Sequence, residues 1–224
     1  MEMNSHVHVL IASALHTSYA EEICNEMEAS AKARGTGIAR RSPEYVAKKM
    51  TEGKAVIALT DPSTGSGPEW AGFCYIETWG HGKYVANSGL IVSPLFRKSG
   101  LARRIKEKIF ELSVSKYPEA KIFGLTTGLA VMKINSELGY EPVTYSELTD
   151  DEQFWKGCES CVNFEILKSK ERKNCLCTAM LYDPADKKIN TKESFRKRSK
   201  LFERWLRFKK YVLMRKKEVM SDKF

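Results

Sequence analysis

Apolar residues along the chain fall into short runs and helical stripes that alternate from the start. The run His6 to Ala12 (HVHVLIA) predicts a strand, and Leu15 to Arg34 a helix with Ile23, Met27 and Ala31 on one face, closed by Gly35-Thr36-Gly37. Ser42-Pro43-Glu44 has the form of an N-cap followed by proline at the first helical position, opening a helix to about Met50. Lys54 to Leu59 and Trp70 to Thr78 predict two strands, and the turn-rich segment Asp61 to Glu69 joins them as an antiparallel hairpin. A further strand spans Tyr84 to Val92. A helix then runs to about Ser115, a strand covers Lys121 to Thr126, and a helix covers Gly128 to Leu138 before the exit Gly139-Tyr140-Glu141-Pro142. Strands and helices interleaved around a hairpin predict a mixed α/β sheet, not a bundle or a sandwich.

Composition sets bounds on this picture. With 224 residues, of which 42% are hydrophobic, the chain can bury a core, and its length suits one domain with an appendage. No run approaches the ~18 apolar residues of a membrane span, and no basic-then-apolar leader opens the sequence, so the expectation is a cytoplasmic protein. The net charge of +9 is local: Thr191 to Phe224 holds 13 Lys and Arg against 4 acids, while residues 1 to 190 balance at 24 each.

The densest chemistry lies at Arg97-Lys98-Ser99-Gly100-Leu101-Ala102, between an apolar strand ending in Val92-Ser93-Pro94 and a helix with Ile105, Ile109 and Leu112 on one face. A helix start leaves its first N–H groups unpaired and carries about half a positive charge, so it holds an anion by directed donors. Small residues at Ser99, Gly100 and Ala102 let a diphosphate reach the backbone. Alone, such a loop also reads as a basic turn, but the strand before it and the helix after it favour phosphate. Lys98-Ser99 lacks the Gly-x4-Gly that precedes the Lys-Ser/Thr of a nucleoside-triphosphate P-loop, and the loop lacks the spaced glycines of a dinucleotide fold.

These residues resemble the GCN5-related N-acetyltransferases (GNAT), whose signature is a strand ending near Val-x-Pro, a loop (Gln/Arg)-x-x-Gly-x-(Gly/Ala), and a helix. The resemblance covers roughly residues 6 to 148. It implies a mostly antiparallel sheet flanked by helices, with acetyl-CoA as cosubstrate. By position, it implies that Leu90, Ile91 and Val92 contact the pantetheine and thioester, that Arg97, Lys98, Ser99, Gly100, Leu101 and Ala102 hold the diphosphate, and that the Val92 N–H serves the oxyanion.

Leu138-Gly139-Tyr140 is similar to the family's Leu-Gly-Phe. Three positions depart from the pattern. Asn135 stands where many members have the tyrosine that protonates the CoA thiolate, Gly128 where many have asparagine, and Ser88, with Asn87 beside it, where an acidic residue is frequent. Direct transfer still needs a base for the amine, a positioned thioester and oxyanion donors. Glu77 and His81, at the end of the strand beside the cofactor strand, are the candidate bases. Tyr140, or Tyr84, is the candidate proton donor, and Thr126 and Thr127 are candidate contacts to substrate. Each also has a plain reading: Glu77 as a solvated strand end, His81 in a Gly-His-Gly turn, Tyr140 as core.

Residues 151–186 form a Cys-rich segment after the core of residues 1–150. Cys158 and Cys161, with Cys175 and Cys177, make two close pairs, a set able to hold a structural zinc; reduced thiols without a special role, or a redox pair, are the other readings. The stretches Val162 to Leu167 and Cys175 to Pro184 overlap where the family's last strands lie, which would weave this segment into the sheet. The Cys-rich ending is similar to a bacterial branch of acetyltransferases linked to arginine biosynthesis, which implies the α-amine of glutamate as acceptor. From residue 187 the chain turns basic, and Ser194 to Met220 predicts a helix with Leu201, Trp205, Phe208 and Val212 on one face. Such a face suits packing on the domain or a homodimer partner; its charges suit nucleic acid. Two functions follow: an acyl-CoA-dependent N-acyltransferase acting on a small amine or amino acid, and a non-catalytic nucleic-acid- or ribosome-associated protein with structural zinc.

Overall fold

The computed structural model describes residues 6–35, 40–62 and 67–186, together with Trp205. The chain divides into two compact units, Met1–Asp183 and Pro184–Phe224. The predicted basic helix from Ser194 to Met220 lies outside the described residues apart from Trp205. With it go the homodimer and nucleic-acid contacts expected of that helix.

The first unit is built on one seven-stranded sheet: β1 (Val7–Ile11), β2 (Ala55–Thr60), β3 (Trp70–Trp79), β4 (Tyr84–Val92), β5 (Lys121–Thr126), β6 (Glu141–Val143) and β7 (Thr178–Tyr182), in the order β1-β2-β3-β4-β5-β7-β6. Every pairing is antiparallel except β4 with β5, which is parallel. This is the mixed, mostly antiparallel GNAT-like sheet the sequence predicts. No helix among the described residues is long and apolar enough to cross a membrane.

Helices cover both faces because alternate strand residues are apolar on each. On one face α1 (Ala20–Arg34) and α2 (Pro43–Thr51) bury Ile23, Met27, Val46 and Met50 against Ile57, Phe73 and Tyr75. Ser42 accepts from the Tyr45 N–H and caps α2, as its sequence predicts. On the other face α3 (Leu101–Lys116) buries Leu101, Ile105, Ile109 and Leu112, and Ile105 sits so close to Gly72 that a β-carbon there would fall 2.5 Å from it. Helix α4 (Leu129–Glu137) follows β5.

Two local expectations are corrected. The helix predicted from Leu15 begins as a 3-10 turn, Ala14–Tyr19, and becomes α-helical only at Ala20; Ser13 and His16 form a capping box that starts this tighter turn. The strand predicted at Val162 to Leu167 is instead helix α6 (Phe164–Ser169), after a short helix α5 (Glu152–Lys156). Phe164 and Leu167, three apart, reach a core with Tyr145 and Trp155, while Val162 stays exposed, so helical spacing wins over strand alternation. Cys175 to Pro184 does supply a strand: β7 sits between β5 and β6.

The feature that positions a site is a fork. Strands β4 and β5 pair only at Tyr84–Ala86 and Lys121–Phe123. Beyond that point β4 follows β3, and β5 follows β7, so the two strands part. The register with β3 slips between Phe73 and Tyr75, placing a bulge in β4 where Gly89 has a left-handed φ of 64°.

Candidate active site

A cavity of about 980 Å³ fills the fork. Its walls are Ala86 to Leu90 of β4, Phe123 to Gly128 on and after β5, Tyr45 and Lys49 of α2, Lys106 of α3 and Asn135 of α4; Phe154, Cys158, Cys161 and Cys177 close the far side.

A polar network stands on the α2 face of the apex. Buried Glu77, opposite Ala86 in register, accepts from Arg41 Nη2 (3.3 Å) and the Tyr45 hydroxyl at Oε1, and from the Ser88 hydroxyl (3.2 Å) at Oε2. Arg41 Nε donates to the Tyr75 hydroxyl at 2.9 Å. Burial opposes the charge on Arg41, but Tyr75, Glu77 and Tyr45 more than offset it, and the guanidinium is held above its ordinary range. Burial, followed by the Glu77 charge, pushes both the Tyr45 and Tyr75 hydroxyls upward, so both stay protonated. Tyr45 is therefore a fixed donor to Glu77. Lys49, whose Nζ lies 5.0 Å from the Tyr45 ring centre, is lowered by burial and supported by Glu77. Arg40, Arg41, Lys49 and Lys156 make the rim basic around one interior carboxylate.

At the other end of β4, the chain turns through Pro94–Phe96 into the loop before α3. Lys98 (φ 63°) and Gly100 (φ 85°) are left-handed, and Gly100 caps α3 with no heavy atom within 4 Å of the β-carbon it lacks. Among the described residues, the N–H groups of Lys98, Gly100, Leu101 and Ala102 have no acceptor. Arg97 is differently employed: Nη2 reaches Glu26 Oε1 (2.6 Å) and Ser30 Oγ (2.8 Å), and Nε reaches the Val92 carbonyl (3.2 Å). Its guanidinium ties α1 to the end of β4, so the anion-binding capacity of the loop rests on backbone donors and Lys98.

The structure brings together some of the sequence-predicted residues and separates others. Glu77, Leu90, Thr126 and Thr127 line the cavity. Ile91 points into the α1–α2 core and Val92 ends the strand beside the loop. His81 is exposed, left-handed at φ 56° in its Gly-His-Gly turn, outside the cavity wall. Tyr140 is buried beneath β4, its hydroxyl donating to Asn87 Oδ1 at 3.0 Å, and burial raises it far above a usual phenol. Tyr84 packs edge-on against Phe123. Arg41, Tyr45, Tyr75, Ser88 and Lys106 carry much of the site and were not predicted.

The four cysteines of the C-terminal segment are free thiols, and no group of three or more His, Cys, Asp or Glu able to hold a metal occurs among the described residues. The spacing predicts a four-thiolate zinc site; the structure does not assemble one. Cys158, Cys175 and Cys177 pack against the core of Tyr145, Trp155 and Leu167, and the Cys175 thiol points at the Asn163 carbonyl 3.9 Å away. Burial, then Cys161 and Cys175, pushes the Cys158 thiol up to about 11.

No family model and no curated protein matches the chain. Solved structures do. N-acetylglutamate synthase from Neisseria gonorrhoeae, complexed with coenzyme A and N-acetyl-glutamate, superposes with a TM-score of 0.54 at 16% identity, covering 79% of this chain and 35% of its own. The chain thus spans about a third of that enzyme's length. A Mycobacterium tuberculosis protein in complex with CoA and NLQ also gives 0.54, at 14% identity, covering 79% of this chain and 98% of its own. The Salmonella typhimurium protein yncA, with its cofactor acetyl-CoA, gives 0.50 at 12% identity over 80% and 94%. At these identities the likeness is one of fold.

Proposed function

We propose that the protein is an N-acyltransferase that moves an acyl group, acetyl in the first instance, from coenzyme A to the amine of a small acidic acceptor of the glutamate type. The single observation that carries this reading is the open fork of β4 and β5 with unpaired amides around Gly100 at its outer end and Glu77 at its apex. A long thioester fits that layout. Its diphosphate rests on the loop amides, its arm follows the free edge of β4, and its acyl carbon comes to the apex. The free edge from Val92 back to Asn87 is about 17 Å of strand.

Glu77 is the base of this reading. Tyr45, Arg41 and Ser88 fix the carboxylate, and a proton from the acceptor amine reaches it directly or through one water. The basic rim suits an acceptor whose carboxylates stay outside while its amine enters. Support for glutamate comes from this charge pattern, from the similarity of the Cys-rich ending, and from the fold shared with an N-acetylglutamate synthase. The test is thiol release from acetyl-CoA across a panel of amino acids and simple amines, with the acetylated product identified by mass. The expected result is turnover with L-glutamate or a close acidic relative; no thiol release above the uncatalysed rate with any amine contradicts the proposal.

A further inference from the structure

Lys106 is 2% exposed, and among the described residues its side chain has neither a hydrogen bond nor an ion pair. Burial lowers its pKa, and the Cys74 thiol of β3 pulls the other way. The Tyr140 ring centre lies 5.3 Å from Nζ, and burial keeps both Cys74 and Tyr140 protonated near neutral pH. An isolated buried ammonium opposes folding, and a hydrophobic side chain of similar volume would fill the place at less cost. The Tyr140 ring gives this amine a cation–π contact but no counter-ion, and the amine lines the cavity.

Its position gives the use. Tyr140 bonds Asn87, the first β4 residue beyond the fork, so Nζ sits at the β4 branch of the apex. Asn135, 1% exposed, stands at the β5 branch, its Nδ2 3.7 Å from the β-carbon Gly124 would carry. Asn135 Oδ1 is buried without a hydrogen-bond partner. Two side chains, one donor and one acceptor, thus converge on the apex from the α3–α4 face, opposite the face that carries Glu77. In coenzyme A, an amide N–H lies two carbons from the sulfur.

Resting on the acyltransferase reading, we propose that Lys106 is the catalytic acid that protonates the departing CoA sulfur, in place of a tyrosine on α4. The acceptor nitrogen forms the C–N bond and loses a proton toward Glu77. The C–S bond breaks, its electron pair goes to sulfur, and a proton from Lys106 Nζ follows, leaving a neutral amine that recovers its proton from solvent. The two proton transfers occur on opposite faces of the sheet, so neither group obstructs the other.

The first arm of the test needs no acceptor. Coenzyme A is bound to wild-type protein and to Lys106→Met, and the thiolate absorbance of the bound cofactor is followed against pH. A neighbouring cation lowers a thiol pKa, so the bound thiol should ionise at least one pH unit lower in the wild type, a tenfold shift. Lys106→Met should melt at the same temperature or higher, bind acetyl-CoA within about threefold, and lose about 100-fold in kcat. Equal thiol titration in the two proteins, or stable acetylation of Lys106 itself, overturns the role of Lys106 and leaves the acyltransferase reading standing. Failure of wild-type protein to bind coenzyme A overturns both. Should the variant not fold, wild-type protein still decides: its preference for coenzyme A over desulfo-coenzyme A should grow about tenfold between pH 6 and pH 9, and a flat ratio contradicts the proposal.

Discussion

Ser88 Oγ donates to Glu77 Oε2 at 3.2 Å, joining β3 to β4 just beyond the point where β4 and β5 part. The bond, with those from Arg41 and Tyr45, holds one carboxylate at the apex of the cavity. Glu77→Gln keeps the acceptor oxygen but removes the base. We expect kcat to fall by about 100-fold or more with the KM for acetyl-CoA little changed. It also leaves Arg41 without its ion-pair partner, so stability should drop by up to about 3 kcal/mol. Steady-state kinetics and urea melts read the two effects separately.

Gly89→Ala should disable the same network from a distance. The backbone there is left-handed at φ 64°, and a β-carbon would fall 2.3 Å from Tyr75 Cε1 and 2.9 Å from Met27 Cε. Strain and overpacking together predict a loss of about 2–4 kcal/mol. Because Tyr75 must move, and Arg41 is bonded to it, activity should fall further than stability alone accounts for. A denaturant series beside kcat measurements checks this.

Stability should decline on the alkaline side. Burial pushes the Cys74 thiol up to about 11, with nearby Lys106 pulling the other way, whereas an unfolded thiol titrates near 8.5. Between those values the folded chain binds the extra proton, so unfolding becomes easier as pH rises. The contribution is whole below about pH 8.5 and is lost through pH 11, amounting to about 3 kcal/mol. Cys74→Ala should flatten the decline between pH 8.5 and 10.5 in urea melts; an unchanged slope would show that the thiol does not drive it.

Lys49, like Lys156, is a rim cation with no carboxylate bonded to it among the described residues. Lys49→Gln should raise the KM for an acidic acceptor by about tenfold, the worth of one charge-assisted hydrogen bond. It should leave the KM for acetyl-CoA alone, and added salt should narrow the difference. A neutral amine acceptor should show no such effect.

Strands β4 and β5 and the loop between β4 and α3 were legible because their signals are local: apolar runs, a proline, a glycine at a helix start. The fork was not, since it depends on which strands pair. Nor was the partnership of Arg41 with Glu77, which lie 36 positions apart. Val162 to Leu167 alternates apolar and polar residues as far as Ile166, the period of a strand, and only the contacts of Phe164 and Leu167 decide for a helix. The cysteine spacing suggested a metal, but it fixes only which thiols are near in sequence, not whether four converge. Lys106 was hidden in the run Arg103-Arg104-Ile105-Lys106-Glu107-Lys108. One sign was present: it lies four after Ala102, three before Ile109 and seven before Ser113, on the border of the buried stripe of α3.

The most direct measurement is calorimetric titration of acetyl-CoA into wild-type protein and Gly100→Glu. The space at Gly100 is open and a left-handed side chain there costs only about 1–2 kcal/mol, so the variant should fold while setting a negative charge among the loop amides. We predict micromolar binding to the wild type and at least a 100-fold loss in the variant. Equal affinity in the two proteins would contradict the assignment of the loop to the cofactor's diphosphate.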